Sequence, residues 1–485
     1  MEDNNLRTNT LINFIWRFAE RISAQLISFI VSIVLARLLR PEDYGTVALI
    51  MVFINIMQVF VDSGLANALI QKKSADDVDF SSVFYFNVVL CLVIYAVMYC
   101  IAPVIAGFYS DRKLVLMIRV LSLTIVLSGV KNVQQAYVSR TFQFKKFFWA
   151  TLSGTLTSAF SGIVLAVRGF GVWAIIAQYL SNLFIDTLVL WIIVKWRPTL
   201  QFSFRKLRGL LSYGWKLLIS ALLETIYQNV WQLVIGKNYS STDLAYYNQG
   251  NKLPNIIVSN INSSIDSILL PVMSKEQDDN SMVKSMTRRS IKTSVYIMAP
   301  LMIGLAATSH TVVKIILTER WLPCVPYLRI LCLANIFMPI HTANLNAVKA
   351  VGRSDLFLKL EIIKKIVGFL GLLISAQFSV TAMVWSVFFI SFISQIINAW
   401  PNKKLLHYGY IEQMKDILPS LLLSALMGLF VYPLCRIPVS DIVILVLQII
   451  IGALTYLILS KIFKIDSFAY ISKVIISCLK KQNSF

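Results

Sequence analysis

Two stripes of polar residues run through stretches that are otherwise apolar. The first joins Arg17, Arg21, Gln25, Ser28 and Ser32 at steps of four, four, three and four, with Glu20 beside it. The second joins Lys216, Ser220, Glu224, Gln228 and Gln232 at steps of four. Such steps place side chains on one face of an α-helix. Guanidinium and ammonium groups on that face attract anions, and the guanidinium fork matches the oxygens of a phosphate or diphosphate. A lipid-linked diphosphate meets this description, and the neighbouring Gln, Asn and Ser could serve the hydroxyls of a sugar head. Polar residues recur at helical spacing as Asn55, Gln58 and Asp62, as Thr124, Ser128, Lys131 and Gln135, as Asn255, Ser259, Asn262 and Asp266, and as Asn335, His341, Asn346 and Lys349. Any single Ser, Asn or Gln of these can be glue between helices. The charged ones ask for more, because a charge at the centre of a membrane helix costs about 2.5–3.5 kcal/mol to insert. The expected substrate-binding residues are Arg17, Arg21, Gln25, Lys131, Lys216, Glu224 and Gln228; Glu20, Asp62 and Asp266 are expected to hold ion pairs or to couple to a cation gradient.

Bond-breaking chemistry finds little support. No Ser–His–Asp order and no Gly-rich phosphate loop is present. Asp77 and Asp79 form an Asp-x-Asp pair of the kind some sugar transferases use to hold a metal, but the setting reads as a solvated loop after a helix. His310, His341 and His407 are too scattered for a metal site, and the six cysteines form no C-x-x-C pair. Neither a metal nor a cofactor is expected.

The elements that position these residues are set by composition. Of 485 residues 57% are hydrophobic and 14% charged, against about 25% charged in soluble domains. Mean hydropathy is +0.71. The expected fold is all-α and polytopic, with lipid as solvent. Fourteen stretches reach the roughly 20 apolar residues a span needs: 10–38, 44–69, 81–107, 114–138, 147–167, 172–194, 210–236, 253–273, 291–313, 325–348, 358–376, 381–399, 417–435 and 442–462. The first is too long for the core of a cleavable signal and reads as a retained helix. The net charge of +21 comes with no nucleic-acid motif and instead follows topology. With a cytoplasmic N-terminus, 26 Lys and Arg fall in inside segments and 9 in outside ones, which is the positive-inside bias. Both termini are then expected in the cytoplasm.

A weak internal repeat is legible. Residues 39–48 echo 239–248, with Asp43 and Asp243 in register, and 118–123 (IRVLSL) echoes 328–333 (LRILCL). The expected organisation is two six-helix lobes, 1–200 and 201–405, related by a parallel repeat, with an appended helix pair and basic tail over 406–485.

Three motifs carry a family resemblance. DSGLANALIQ (62–71) resembles the D-x-G-L-x-x-A-L-I-Q end of the second helix in the polysaccharide transporter family, and RGFGVWAI (168–175) resembles its G-x-G-V-W-A-L. ERWLPCVPYLRIL (319–331), followed by Ala350, Val351 and Gly352 and the Arg353-x-Asp355 turn, is the third. The resemblance runs over about residues 10–400 and points to the Wzx-type branch of the multidrug/oligosaccharidyl-lipid/polysaccharide exporter superfamily. It implies two six-helix lobes around a cationic cavity and alternating access. It also implies translocation of undecaprenyl-diphosphate-linked oligosaccharide units across the bacterial cytoplasmic membrane, for O-antigen, capsule, exopolysaccharide or teichuronic acid. The implied partners are that lipid-linked substrate, the bilayer, and a polysaccharide polymerase with its export machinery; no nucleic acid is expected. A cation-coupled multidrug exporter of the same superfamily is the alternative, for which an acidic, aromatic cavity would be the signature. A membrane glycosyltransferase and a scaffold held by polar glue are the remaining rivals.

Overall fold

The computed structural model describes the backbone of residues 2–62, 65–72 and 74–482, and within these the side chains of all but 2–12, 14, 67, 212–214, 216, 475 and 478–482. The described residues form helices joined by short turns, without strands. They run α1 (Glu2–Leu38), α2 (Pro41–Val61), α3 (Leu65–Gln71), α4 (Asp77–Phe108), α5 (Leu114–Leu121), α6 (Leu123–Arg140), α7 (Phe144–Val167), α8 (Val172–Ile193) and α9 (Phe204–Asn238). There follow α10 (Ser241–Lys275), α11 (Asn280–Ile316), a 3-10 turn (Glu319–Cys324), α12 (Val325–Asn335), α13 (Met338–Ala350), α14 (Ser354–Ser375), α15 (Val380–Leu405), α16 (Tyr410–Val431), α17 (Asp441–Ile462) and α18 (Asp466–Gln482).

Each of the fourteen expected stretches falls mostly on helix, with breaks inside 44–69, 114–138 and 325–348. Among the described residues, twelve helical segments are long and apolar enough to cross a membrane. The two expected stretches missing from that set lie in α9 and α14. The polar stripe of α9, and Lys359, Glu361, Lys364 and Lys365 in α14, lower their apolarity. The helices are apolar outside as well as inside. On α4, Cys91, Ile94, Met98 and Ala102 are buried, while Val89, Val93, Val97 and Val104 are exposed. An exposed apolar face of this extent needs lipid, and a helix satisfies its own backbone there. The chain is a multi-pass membrane protein.

Local chemistry sets the helix starts. α2 opens on Pro41, with Glu42 and Asp43 in its first turn; proline costs no bond at that position and acids favour the positive helix end. Asp43 also accepts from the Arg40 backbone N–H at 3.1 Å. At the matching point of the repeat α10 opens on Ser241, and the Ser240 hydroxyl lies 2.6 Å from the Asp243 carboxylate. α1 and α9 end at Leu38 and Asn238, so the register of two hundred residues extends to the helix ends. Each fourth helix of the repeat breaks in two, at Ser122 inside the second echo and at Ile336–Phe337 shortly after it.

By their contacts the residues divide into two compact units, Met1–Ala245 and Tyr246–Phe485. In the first, α1 lies on α7, α7 on α8, and α6 on α8 and α4. α9, which opens the second repeat in the sequence, packs on α2, α3 and α4. Gly236 makes that approach possible, because a Cβ there would stand 2.1 Å from Leu49 Cδ2. In the second unit α11 is central and meets α12, α13, α16 and α17, while α14 and α15 form a hairpin. A buried polar network ties α16 into this unit. Asn344 and Gln413 exchange two amide bonds of 2.9 Å, and Asn402 donates to Asn344 Oδ1 at 2.7 Å.

Candidate functional site

The first unit gathers charge around one stretch of α7. Phe144, Phe147 and Thr151 recur at helical spacing and meet α1. Arg17 donates to Glu20 Oε2 at 2.5 Å, and its guanidinium carbon lies 5.0 Å from the centre of the Phe147 ring. Thr151 donates to the other Glu20 oxygen at 3.3 Å. Three residues further on, Gly154 admits α8: a Cβ there would lie 2.7 Å from the Asn182 carbonyl oxygen and 2.9 Å from Asp186 Cβ. Asp186 in turn holds Lys131 of α6 at 2.5 Å, with the two side chains 8% and 14% exposed. The pairs Arg17–Glu20 and Lys131–Asp186 thus flank the same turn of α7.

Of the expected residues, Arg17 and Glu20 pair with each other and Lys131 pairs with Asp186. Asp62, exposed just past the end of α2, lies within electrostatic reach of Lys131. Arg21 and Gln25 are exposed on α1, and Arg21 has no ion pair among the described residues. Glu224 accepts from Gln228 at 2.9 Å, one turn apart on α9. Asp266 belongs to the second unit, where Asn346 donates to it at 2.8 Å. The Lys216 side chain lies outside the described residues.

Sequence reasoning passed over Asp186, Thr151 and Gly154. A signal for Asp186 existed, since it is the sole charged residue of α8, and a lone carboxylate in an apolar span calls for a partner. The effect on chemistry is substantial. Arg17 and Lys131 are each matched by a carboxylate, so the array is close to neutral with Arg21 as a free cation. A polyanion entering it would compete with Glu20 and Asp186 for cations already in position. A ligand cation would need those carboxylates released.

The Asp-x-Asp pair is not a solvated loop. Asp79 is buried, and both its oxygens accept from Lys72 Nζ, at 2.7 and 2.6 Å. Asp76 caps α4 by accepting from the Asp79 backbone N–H at 2.9 Å. Asp77 accepts from the Trp196 indole N–H at 3.2 Å. No group of three or more metal-ligating side chains occurs among the described residues. The network also fastens the start of α9 and the segment before it: Lys206 of α9 pairs with Asp76, and the Ser81 and Ser82 hydroxyls accept from the backbone N–H groups of Thr199 and Ser203, each at 2.9 Å. The hydrogen bond from Lys206, aided by the Asp79 backbone N–H, pulls the Asp76 carboxyl down to about 2.

The sequence motifs prove architectural. Gly169 and Gly171 turn the chain from α7 into α8 at φ of 79° and 53°, values that favour glycine. Trp321 is fully buried, edge-on to Tyr246. Arg353 makes two bonds of 2.8 Å to Asp355, which holds that carboxyl well below the usual carboxylate range. In the 62–71 motif Leu65 and Leu69 are buried, whereas Ser63, Gly64 and the Asn67 side chain lie outside the described residues.

The chain is 25% identical over 385 residues to the teichuronic acid biosynthesis protein TuaB of Bacillus subtilis (strain 168), covering 77% of this chain and 78% of that one. It is 22% identical to the succinoglycan biosynthesis transport protein ExoT of Rhizobium meliloti (strain 1021), over 70% of this chain and 68% of that one. The lipopolysaccharide biosynthesis protein WzxC of Escherichia coli (strain K12) is 22% identical, over 77% and 76%. In fold the chain is similar to the lipid II flippase MurJ in an inward closed conformation, with a TM-score of 0.75 at 17% identity over 93% of this chain and 98% of that one. An inward-facing multidrug resistance MATE transporter of the MOP superfamily follows with a TM-score of 0.60 at 15% identity, over 84% and 98%. The family profile described as "polysaccharide biosynthesis protein" matches residues 34–326, more than half of the chain. With its membrane helices, its repeat and its three motifs, the chain belongs to this polysaccharide biosynthesis protein family.

Proposed function

We propose that this protein is a flippase that moves lipid-linked oligosaccharide across the bacterial cytoplasmic membrane for surface polysaccharide synthesis. The observation that carries the reading is the array of ion pairs on membrane helices, Arg17–Glu20 and Lys131–Asp186, with Arg21 exposed beside it. Relatives named for teichuronic acid, succinoglycan and lipopolysaccharide biosynthesis support it. The substrate carries an undecaprenyl diphosphate and a sugar head. Its diphosphate exchanges with Glu20 and Asp186 for Arg17 and Lys131, aided by Arg21 and Lys216, while Gln25, Glu224 and Gln228 meet sugar hydroxyls. Two six-helix lobes, 1–200 and 201–405, rock about the substrate to release the head outside, and the pair at 406–485 accompanies them. Both termini lie in the cytoplasm, as the positive-inside bias requires. Asp62 and Asp266 hold ion pairs or couple the cycle to a cation. The protein is not an enzyme; a polymerase and export machinery take its product.

Deletion of the gene tests the reading. Carrier-linked repeats should accumulate at the cytoplasmic face and surface polymer should vanish. Repeats that still reach the outer leaflet would defeat it. Arg17→Ala with Arg21→Ala should abolish polymer without loss of protein from the membrane, and normal polymer would remove these residues from the site.

A further inference from the structure

The last span, α17, ends at Ile462. The chain turns at Lys464, at a φ of 48°, and the Ile465 N–H donates to the Ser460 carbonyl at 3.1 Å. The α18 helix that follows has 17 residues and rises about 25 Å, short of the roughly 30 Å hydrocarbon core. Its sequence is two-sided. Phe468, Ile471, Ile475 and Leu479 follow at steps of three, four and four, and Asp466, Lys473, Ser477 and Lys480 at steps of seven, four and three. These are the spacings of two separate helix faces.

The first turns of α18 are fixed to the second unit. Phe468 and Ile471 pack against a cluster that includes Tyr296, Met427 and Tyr456. Asp466 accepts from Lys292 at 2.7 Å, and the Arg289 guanidinium carbon lies 5.2 Å from the centre of the Tyr470 ring. On the flank of this foothold Tyr470 and Val474 are each 42% exposed. Charge decides what covers them. After residue 441 the sequence holds five lysines and one acid, Asp466, which is already paired. Lys461, Lys464 and Lys473 are exposed, with no ion pair among the described residues. A short two-sided helix with lysines on its polar face, starting where a span ends, has the make-up of one that lies in the plane of a membrane surface. The excess of lysine selects an anionic surface, where each basic residue favours the bound form about fivefold.

We propose that α18 lies in the headgroup layer of the leaflet where α17 ends and binds anionic phospholipid there, with Tyr470 and Val474 toward the acyl chains and Lys473 toward the phosphates. The inference is independent of the flippase reading. It is tested with the full-length protein in lipid nanodiscs, where both membrane faces meet solvent. Cys100, Cys435 and Cys478 are replaced by Ser, and Val474→Cys carries a bimane label. One set of discs is phosphatidylcholine alone, the other equal parts phosphatidylcholine and phosphatidylglycerol. Both contain a phosphatidylcholine with a nitroxide high on its acyl chain. In the mixed discs, quenching by the nitroxide relative to quenching by dissolved acrylamide should rise at least several-fold over the phosphatidylcholine discs. Added salt should reverse the rise, and Lys473→Glu with Lys480→Glu and Lys481→Glu should remove it. The unaltered helix in the two lipids keeps the test open should that variant fail to fold. An equal ratio in both discs, a rise that survives the triple change, or a label shielded from both quenchers because protein covers it overturns the inference.

Discussion

Neutralising Asp186 should uncover how the ion pairs bear on stability. In Asp186→Asn the Lys131 ammonium loses a partner at 2.5 Å, in a place where the two side chains are 14% and 8% exposed. Breaking a buried pair from one side costs about 3–5 kcal/mol, because a charge is left without compensation. Residual exposure and the nearby Asp62 put the expected cost at the lower end, about 3 kcal/mol. For a unit of this size each kcal/mol lowers the melting temperature by about 2–4 °C, so a fall of about 6–12 °C is expected. The protein carries its own reporters. Cys91 is fully buried in the first unit, and Cys324 and Cys332 are fully buried in the second. With Cys100, Cys435 and Cys478 replaced by Ser, a thiol-reactive dye followed on heating reads each unit by its own cysteines. Cys91 should react earlier in Asp186→Asn, while Cys324 and Cys332 keep their temperature. The pair of changes Lys131→Met and Asp186→Leu should recover most of the stability, since apolar side chains can replace a buried pair, yet abolish transport. A shift of Cys91 smaller than about 2 °C would mean a cost under about 1 kcal/mol and would refute the pair as a buried, coupled unit.

Gly45→Ala should destabilise the first unit by at least about 1–3 kcal/mol, because its Cβ would stand 1.6 Å from the Ser241 backbone oxygen; an unchanged Cys91 transition would contradict that approach. Gln413→Leu leaves the Asn344 side-chain N–H without its acceptor in a fully buried site, although Asn402 still donates to Asn344 Oδ1, and should cost about 1–3 kcal/mol, read as earlier reaction of Cys324 and Cys332 with Cys91 unmoved. Asp76 gives a pH signature. Its folded value of about 2 lies below the unfolded one of about 3.9, so its stabilising effect is present above about pH 4 and is lost as pH falls toward 2. The stability difference between wild type and Asp76→Asn should therefore shrink across that window, and a constant difference would count against the Lys206 pairing.

The sequence by itself determined the solvent, the helices and the repeat. Apolar runs of span length with so few charges leave lipid as the only medium, and the helix is then the backbone's way to satisfy itself. The echo of residues 39–48 in 239–248 located matching helix starts to the residue, because capping and first-turn chemistry are local. The site was legible only in part. Helical spacing could assign Arg17, Arg21 and Lys131 to polar faces, since a face is a property of one helix. Their partners were not legible, because which carboxylate meets which cation depends on how α7 and α8 pack. Gly154 brings Asp186 to Lys131 across fifty-five residues of sequence, and Thr151 reaches Glu20 across one hundred and thirty-one. The same holds for Asp79, which reads as loop in sequence and is instead a buried acid held by Lys72. Spacing along a helix shows where charge can lie; tertiary packing alone decides what neutralises it, because that depends on distances between helices that no local pattern encodes.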